Sequence, residues 1–186
     1  MRLGAYLVFA DETGILLSPL VRRTWAAAGF TPVVRQRLRS YQHLSAIAAL
    51  SISPQRRRLG FTWQLHRESI RQSHTVGWLR QLLRHLKGPI VLVWDRLPVH
   101  RAAGIQRYVA QHPRLRIEYL PPYAPELNPV EYAWSWLKMN PLANRCVQDL
   151  DELTDAATRA KHTIAHDQRR LAGFLHATKL PIALRC

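Results

Sequence analysis

Acid is scarce in this sequence. Twelve Asp and Glu stand against 27 Lys and Arg, a formal net charge of +15 over 186 residues. Such a balance favours a polyanionic partner, most simply DNA or RNA, with an anionic membrane surface as the rival. Long apolar runs are missing too. No stretch of roughly 18 apolar residues exists, so no transmembrane helix is expected. The opening MRLGAYLVFADE meets charge too early for the apolar segment of a secretory signal. Cysteine is nearly absent. Cys146 and Cys186 match no metal-ligand spacing and read as free thiols in a reducing cytosol. Internal repeats and low-complexity tracts are also lacking. What remains is 47% hydrophobic, a globular composition, long enough for one domain with its own core and short for two.

The apolar pattern orders the chain. Leu3 to Ala10 reads as a strand ending at Asp11-Glu12, followed by a Thr-Gly turn and a second strand in ILLSPLVRRTWA. Leu44 to Ile52 reads as a strand or a short buried helix, and Gly60 to Leu65 as a further strand. Ser73 to Lys87 has helical apolar spacing with a basic outer face, stopped by Gly88-Pro89. IVLVW, Ile90 to Trp94, is the clearest strand, continuously apolar as a covered strand should be. A helix over Ala102 to Gln111, a strand over Leu115 to Leu120 and a helix over Pro129 to Lys138 follow. Leu150 to Leu175 is helical with a break near Ala165. An antiparallel meander followed by βαβα units is the layout of an RNase H-like α/β domain, a mixed central sheet with flanking helices. One domain is expected over residues 1–186, with a core at about 3–140 and a helical part at about 147–178.

Two of the scarce acids, Asp11 and Asp95, directly follow buried-looking strands. Ligand groups converge at such strand ends in open α/β sheets. Each alone also suits a turn or a helix start. Glu12 points to the opposite face if the strand continues, and is expected to pair with an Arg. A third acid, Glu131, lies in LPPYAPELNPVEYAW, Leu120 to Trp134. Asn128 is a good N-cap and Pro129 suits the first helical position, which puts Glu131 at the third. Glu131 therefore either completes a capping box with Asn128 or points toward the strand ends from the border of the stripe Val130, Ala133, Trp134, Leu137. Pro121, Pro122, Pro125 and Pro129 stiffen the approach. Capping does not require that stiffness, whereas holding a carboxylate in register does.

The segment PPYAPELNPVEYAW resembles the third catalytic motif of mariner-type transposases, including their bacterial insertion-sequence branch. FADETG resembles the family's first motif, VRRTWAAAGFTPVV the segment that follows it, and LVWDRLPVHR the second motif. The chain departs from the pattern at Arg96, where many relatives carry Asn. The resemblance covers roughly Leu3 to Lys138. It implies a DDE triad of Asp11, Asp95 and Glu131 that holds two Mg²⁺ ions, with Mn²⁺ able to substitute. Two such ions about 3.5–4 Å apart serve an in-line displacement at phosphorus. Water would first cleave at the transposon ends, and the freed 3′-OH would then attack target DNA. The resemblance further implies a homodimer on paired DNA ends in a bacterial cytoplasm, associated with the nucleoid. Helix-turn-helix modules do not fit before Leu3, so a separate or frameshift-fused DNA-binding half is expected. The alternatives are a non-catalytic DNA-binding remnant or another RNase H-like nuclease.

Basic clusters occur at Arg22-Arg23, Arg35 to Arg39, Arg56 to Arg58, and Arg80, Arg84, His85 and Lys87. Arg35, Arg37, Arg39, Arg56, Arg57 and Arg58 are expected to touch DNA phosphates beside the site. His100 is expected either to touch DNA or an outer layer of the metal site, or to bond backbone at a helix start. Trp25, Trp63, Trp78, Trp94 and Trp134 read as packing residues.

Overall fold

The computed structural model describes residues 4–18, 20–33 and 42–185. Its centre is one five-stranded mixed sheet, in the order β3-β2-β1-β4-β5. β1 (Tyr6–Leu16), β2 (His43–Ile52) and β3 (Leu59–His66) form the antiparallel meander. β4 (Ile90–Trp94) and β5 (Leu115–Tyr119) run parallel to β1 on its other side. α1 (Gln72–His85) and α2 (Ala103–Ala110) precede and follow β4, α2 entering through a 3-10 turn at Pro98–Arg101. α3 (Pro129–Met139), α4 (Leu150–His166) and α5 (Gln168–Ala177) complete the chain, the last two divided at Asp167.

Side-chain alternation along the strands sorts the core into two layers. Phe9, Ala46, Ala48, Leu50, Phe61 and Trp63 pack beneath α3, α4 and α5, joined by Val130, Ala133, Trp134 and Leu137. Val8, Ala10, Ile47, Ala49, Leu92 and Trp94 pack beneath α1 and α2, against Trp78, Leu79, Leu82 and Ile105. β1 and β2 are thus covered on both faces, which explains the nearly unbroken apolar run of β2. In the first layer the Trp63 and Trp134 rings stack with centroids 5.6 Å apart, fixing α3 across β2 and β3.

Three sequence expectations give way here. β1 does not stop at Asp11. It runs on through Thr13 and Gly14 to Leu16, because β2 continues the ladder as far as Leu16 opposite His43. The second strand expected in ILLSPLVRRTWA does not form, since residues 20–33 run along the surface without a ladder partner. Trp25 in that segment is 99% exposed, so it packs no core, in contrast to Trp63, Trp78, Trp94 and Trp134. Arg22 anchors the segment by donating to Met139 O and Asn140 Oδ1 at the end of α3.

Candidate active site

The parallel pairing of β1 with β4 sets the first two acids side by side. The last register pair is Phe9 opposite Val93. Two residues further along each strand stand Asp11 and Asp95, on strands about 4.8 Å apart. Asp11 shares the face of Phe9, the face that carries α3. Glu131 reaches the same place from the first turn of α3. Asn128 makes that arrangement firm: its Oδ1 accepts from Val130 N at 3.1 Å and its Nδ2 donates to Ala10 O at 2.9 Å. One buried side chain thereby caps the helix and ties it to β1 next to Asp11. The N–H of Asn128 is taken by Pro125 O at 2.9 Å, so Glu131 is not needed to close a capping box and its carboxylate faces the cleft. A second tie lies two turns along, where Lys138 Nζ donates to Thr13 Oγ1 at 2.6 Å.

Asp11, Asp95 and Glu131 line one cleft of about 380 Å³, walled by Arg96, Leu97, Pro98 and the proline segment from Leu120 to Pro125. Within that wall Tyr123 is fully exposed and has φ 56°, a left-handed conformation costly for a bulky residue. The prolines on both sides restrict the chain around it.

The charges are strongly coupled. Burial, and then the negative charges of Glu131, Glu12 and Asp95, push the Asp11 carboxyl up to about 8. Burial also raises Glu131; Lys138 opposes that shift and Asp95 adds to it. Burial lowers Lys138, against the attraction of Glu131 and Asp11. Burial works to raise Asp95, yet its contacts with His100 and the Leu97 N–H outweigh it and bring the group below the usual range.

His100 is wholly buried, a position that leaves no surface for a DNA contact and differs from a backbone-bonded helix start. Its ring stacks on Trp94 at 3.8 Å, and its Nε2 lies 3.1 Å from Glu12 Oε1. Nδ1 lies 2.5 Å from Asp95 Oδ1, an ion-pair contact in which the N–H is not aimed along a hydrogen bond. Burial alone would lower His100, but the two carboxylates prevail and push it up to about 9. Glu12 therefore meets a histidine, not the arginine expected of it. Lys138 was legible as a site residue, being seven positions past Glu131 and so on the same helix face.

Among the described residues, no three His, Cys, Asp or Glu side chains are already gathered into a metal cage. Asp95 leans to His100. The donor set nevertheless suits a hard divalent cation, which prefers carboxylate oxygens. A cation among acids that raise one another's pKa also relieves their repulsion. Three of the arginines expected beside this cleft lie elsewhere. Arg56, Arg57 and Arg58 form the β2–β3 turn at the opposite end of the sheet, since Ile52 pairs with Leu7, below Asp11. Arg35, Arg37 and Arg39 fall outside the described residues.

A five-stranded mixed sheet with acids at the neighbouring positions of β1 and β4, and a third on the helix crossing them, defines an RNase H-like domain. The sequence model of the DDE superfamily endonuclease matches residues 6–154, and the chain belongs to that family. The fold matches the Mos1 mariner paired-end complex with Mn at TM-score 0.65 and 14% identity, over 93% of this chain and 53% of that one. The Mos1 catalytic domain with Raltegravir and Mn superposes at TM-score 0.60 and 13% identity, over 93% of this chain and 79% of that one. A stretch of 39 residues is 44% identical to an uncharacterised protein, y4pE/y4sA, of Sinorhizobium fredii, covering 21% of this chain and 29% of that protein. The chain thus spans about half the length of the Mos1 protein in the paired-end complex.

Proposed function

We propose that the chain is the catalytic domain of a transposase that cuts DNA strands and joins them to a target, with Asp11, Asp95 and Glu131 holding divalent metal. The observation that carries this reading is the convergence of the three acids on one cleft in a molecule of net charge +15. Asp11 is buried beside two further acids that raise its pKa, a cost to the fold for which function is the simplest reason. Two Mg²⁺ or Mn²⁺ ions, when bound, supply the positive charge that activates an attacking oxygen and steadies a leaving one. Asp11 would hold metal from β1, on the strand next to β4. Asp95 and Glu131 flank it from β4 and α3. Lys138 adds an ammonium group at the Glu131 side, suited to a phosphate oxygen. In the first step water attacks phosphorus, a new P–O bond forms and the bond to the 3′ oxygen breaks. That oxygen leaves as a 3′-OH, the nucleophile for a second phosphodiester.

The +15 charge and the DNA-bound complexes among the structural neighbours support DNA as the partner. We assign a single catalytic domain to this chain, a homodimer on paired ends, a helix-turn-helix half supplied separately or by fusion, and a nucleoid-associated location. Arg57 and Arg58 become phosphate contacts on a face remote from the cleft. No helix of the described residues is long and apolar enough to cross a membrane.

The test is calorimetric titration of Mn²⁺ into the wild type and Asp11→Asn, each with and without duplex DNA, beside Mn²⁺-dependent nicking of supercoiled plasmid. The wild type is expected to bind and nick, and the variant to do neither. A folded wild type that binds no Mn²⁺ even with DNA present would overturn the assignment.

A further inference from the structure

The contacts among Glu12, His100 and Asp95 are left over when the cleft has been accounted for. Glu12 lies on the face of β1 opposite Asp11, in line with Val8 and Ala10, and its side chain is only 17% exposed. A lone acid there gains nothing from the cleft it faces away from. Its Oε1 is 3.1 Å from His100 Nε2, while Oε2 is buried with no hydrogen-bond partner. The imidazole lies flat on Trp94, the last residue of β4, and meets Asp95 Oδ1 with its other nitrogen. The 3-10 turn at Pro98–Arg101 brings His100 back over the strand end, and the Leu97 N–H donates to the same Asp95 oxygen at 3.1 Å. A chain of contacts therefore crosses the rim of the sheet, from the far face of β1 to the end of β4.

We propose that Glu12 and His100 are positioning residues for Asp95: Glu12 fixes the plane of the imidazole, and the imidazole fixes the Asp95 carboxylate. This rests on the reading of Asp95 as a metal ligand. Asp95 lies just past the end of its strand, where no ladder bond restrains it. A carboxylate in that place has several rotamers open to it. With Oδ1 committed to His100 and the Leu97 N–H, the other oxygen is the one left for the cleft. Outer partners that orient a ligand in this way alter metal affinity although they never touch the ion.

The experiment is Mn²⁺ titration by calorimetry on the whole chain, with a thermal melt for each variant. The variants are Glu12→Ala, Glu12→Gln, His100→Asn, His100→Gln and Asp95→Asn. Glu12→Ala is expected to weaken Mn²⁺ binding about tenfold. Glu12→Gln, whose amide oxygen still accepts from the imidazole, should stay close to the wild type. In His100→Asn the amide sits near the place of Nδ1 and keeps the Asp95 contact, whereas in His100→Gln it sits near Nε2 and loses it. Affinity is therefore expected to fall in the order wild type, His100→Asn, His100→Gln. A packing role alone would lower the melting temperature of both His100 variants without that order. Equal losses for Glu12→Ala and Glu12→Gln would mean that charge matters and position does not, and would overturn the proposal. If Asp95→Asn abolishes binding while Glu12→Ala and His100→Gln bind as the wild type does, the relay alone is wrong. If Asp95→Asn leaves binding unchanged, the metal reading fails and the relay with it.

Discussion

Asp11 is the residue on which the local electrostatics turn. Its folded-state pKa of about 8 lies far above its ordinary 3.8, under burial and the facing charges of Glu131 on α3, Glu12 on β1 and Asp95 beyond β4, with Lys138 the nearby cation. A raised pKa means that the fold favours the protonated form. Its contribution to stability is complete below about pH 4 and is lost as pH rises through 8. The size is on the order of 5 kcal/mol. His100, raised to about 9, adds a loss of the same sign between its ordinary 6.5 and 9. Denaturant unfolding of chelator-treated protein should therefore show stability falling from pH 4 to 9. Saturating Mn²⁺ should reverse most of that fall, because it binds the deprotonated carboxylates. A stability that rises over this window in chelator would refute the Asp11 assignment. At Glu131 two roles separate cleanly. Glu131→Gln should keep stability within about 0.5 kcal/mol, as expected away from caps and core, since Asn128 does the capping. The same variant should lose Mn²⁺ binding.

At the scale of elements, α3 is what carries the third acid to the other two. The stripe Val130, Ala133, Trp134 and Leu137 buries it against β1 and β2, and the Trp63–Trp134 stack opposes a slide along the strands. Asn128 to Ala10 O and Lys138 to Thr13 Oγ1 stop the slide at both ends. Asn128→Ala removes the cap and leaves the Ala10 carbonyl buried without its partner. Thermal or urea unfolding should show a loss of about 2–3 kcal/mol. Mn²⁺ affinity measured well below the new melting temperature should fall as well, because Glu131 loses its register. Unchanged affinity in folded Asn128→Ala would show that the apolar stripe alone positions the helix. The prolines before Asn128 belong to the same device, since they limit the paths by which the chain leaves β5 and enters α3.

Across the whole molecule, charge is spread far beyond the cleft. The Arg56 to Arg58 turn lies past Leu7, itself four residues below Asp11, so at about 3.3 Å per residue it is roughly 13 Å or more from the acids. That exceeds the Debye length of about 8 Å at physiological salt. The double substitution Arg57→Ala with Arg58→Ala should therefore leave Mn²⁺ affinity unchanged. DNA binding followed against salt should flatten, by a slope of about 0.9 for each phosphate contact removed. An unaltered slope would place the DNA path entirely away from this turn.

Much of this was legible in the sequence, because it depends on local pattern. β4 was read at its observed bounds from IVLVW, and α1, α2, α3, β3 and β5 to within a few residues, since their apolar periods and their Gly and Pro stops are local; for β2 the span was legible, while strand and buried helix stayed open. The meander followed by parallel units, the family, and the positions of Asp95 directly after β4 and of Glu131 in the first turn of α3 were readable for the same reason. Three things were not. Where β1 ends depends on how far β2 runs beside it, a pairing over some 30 residues, so the Thr13-Gly14 turn read from local chemistry was overridden. The remoteness of Arg56 to Arg58 from the cleft follows from hairpin register. The choice of partner for Glu12 and His100 was also out of reach, 88 residues apart in the chain and 3.1 Å apart in space. A sequence fixes which groups are available and which face each one takes along its own element. Which groups meet across elements is decided by the packing of helix on sheet, and that packing turned three acids and a histidine into one coupled site.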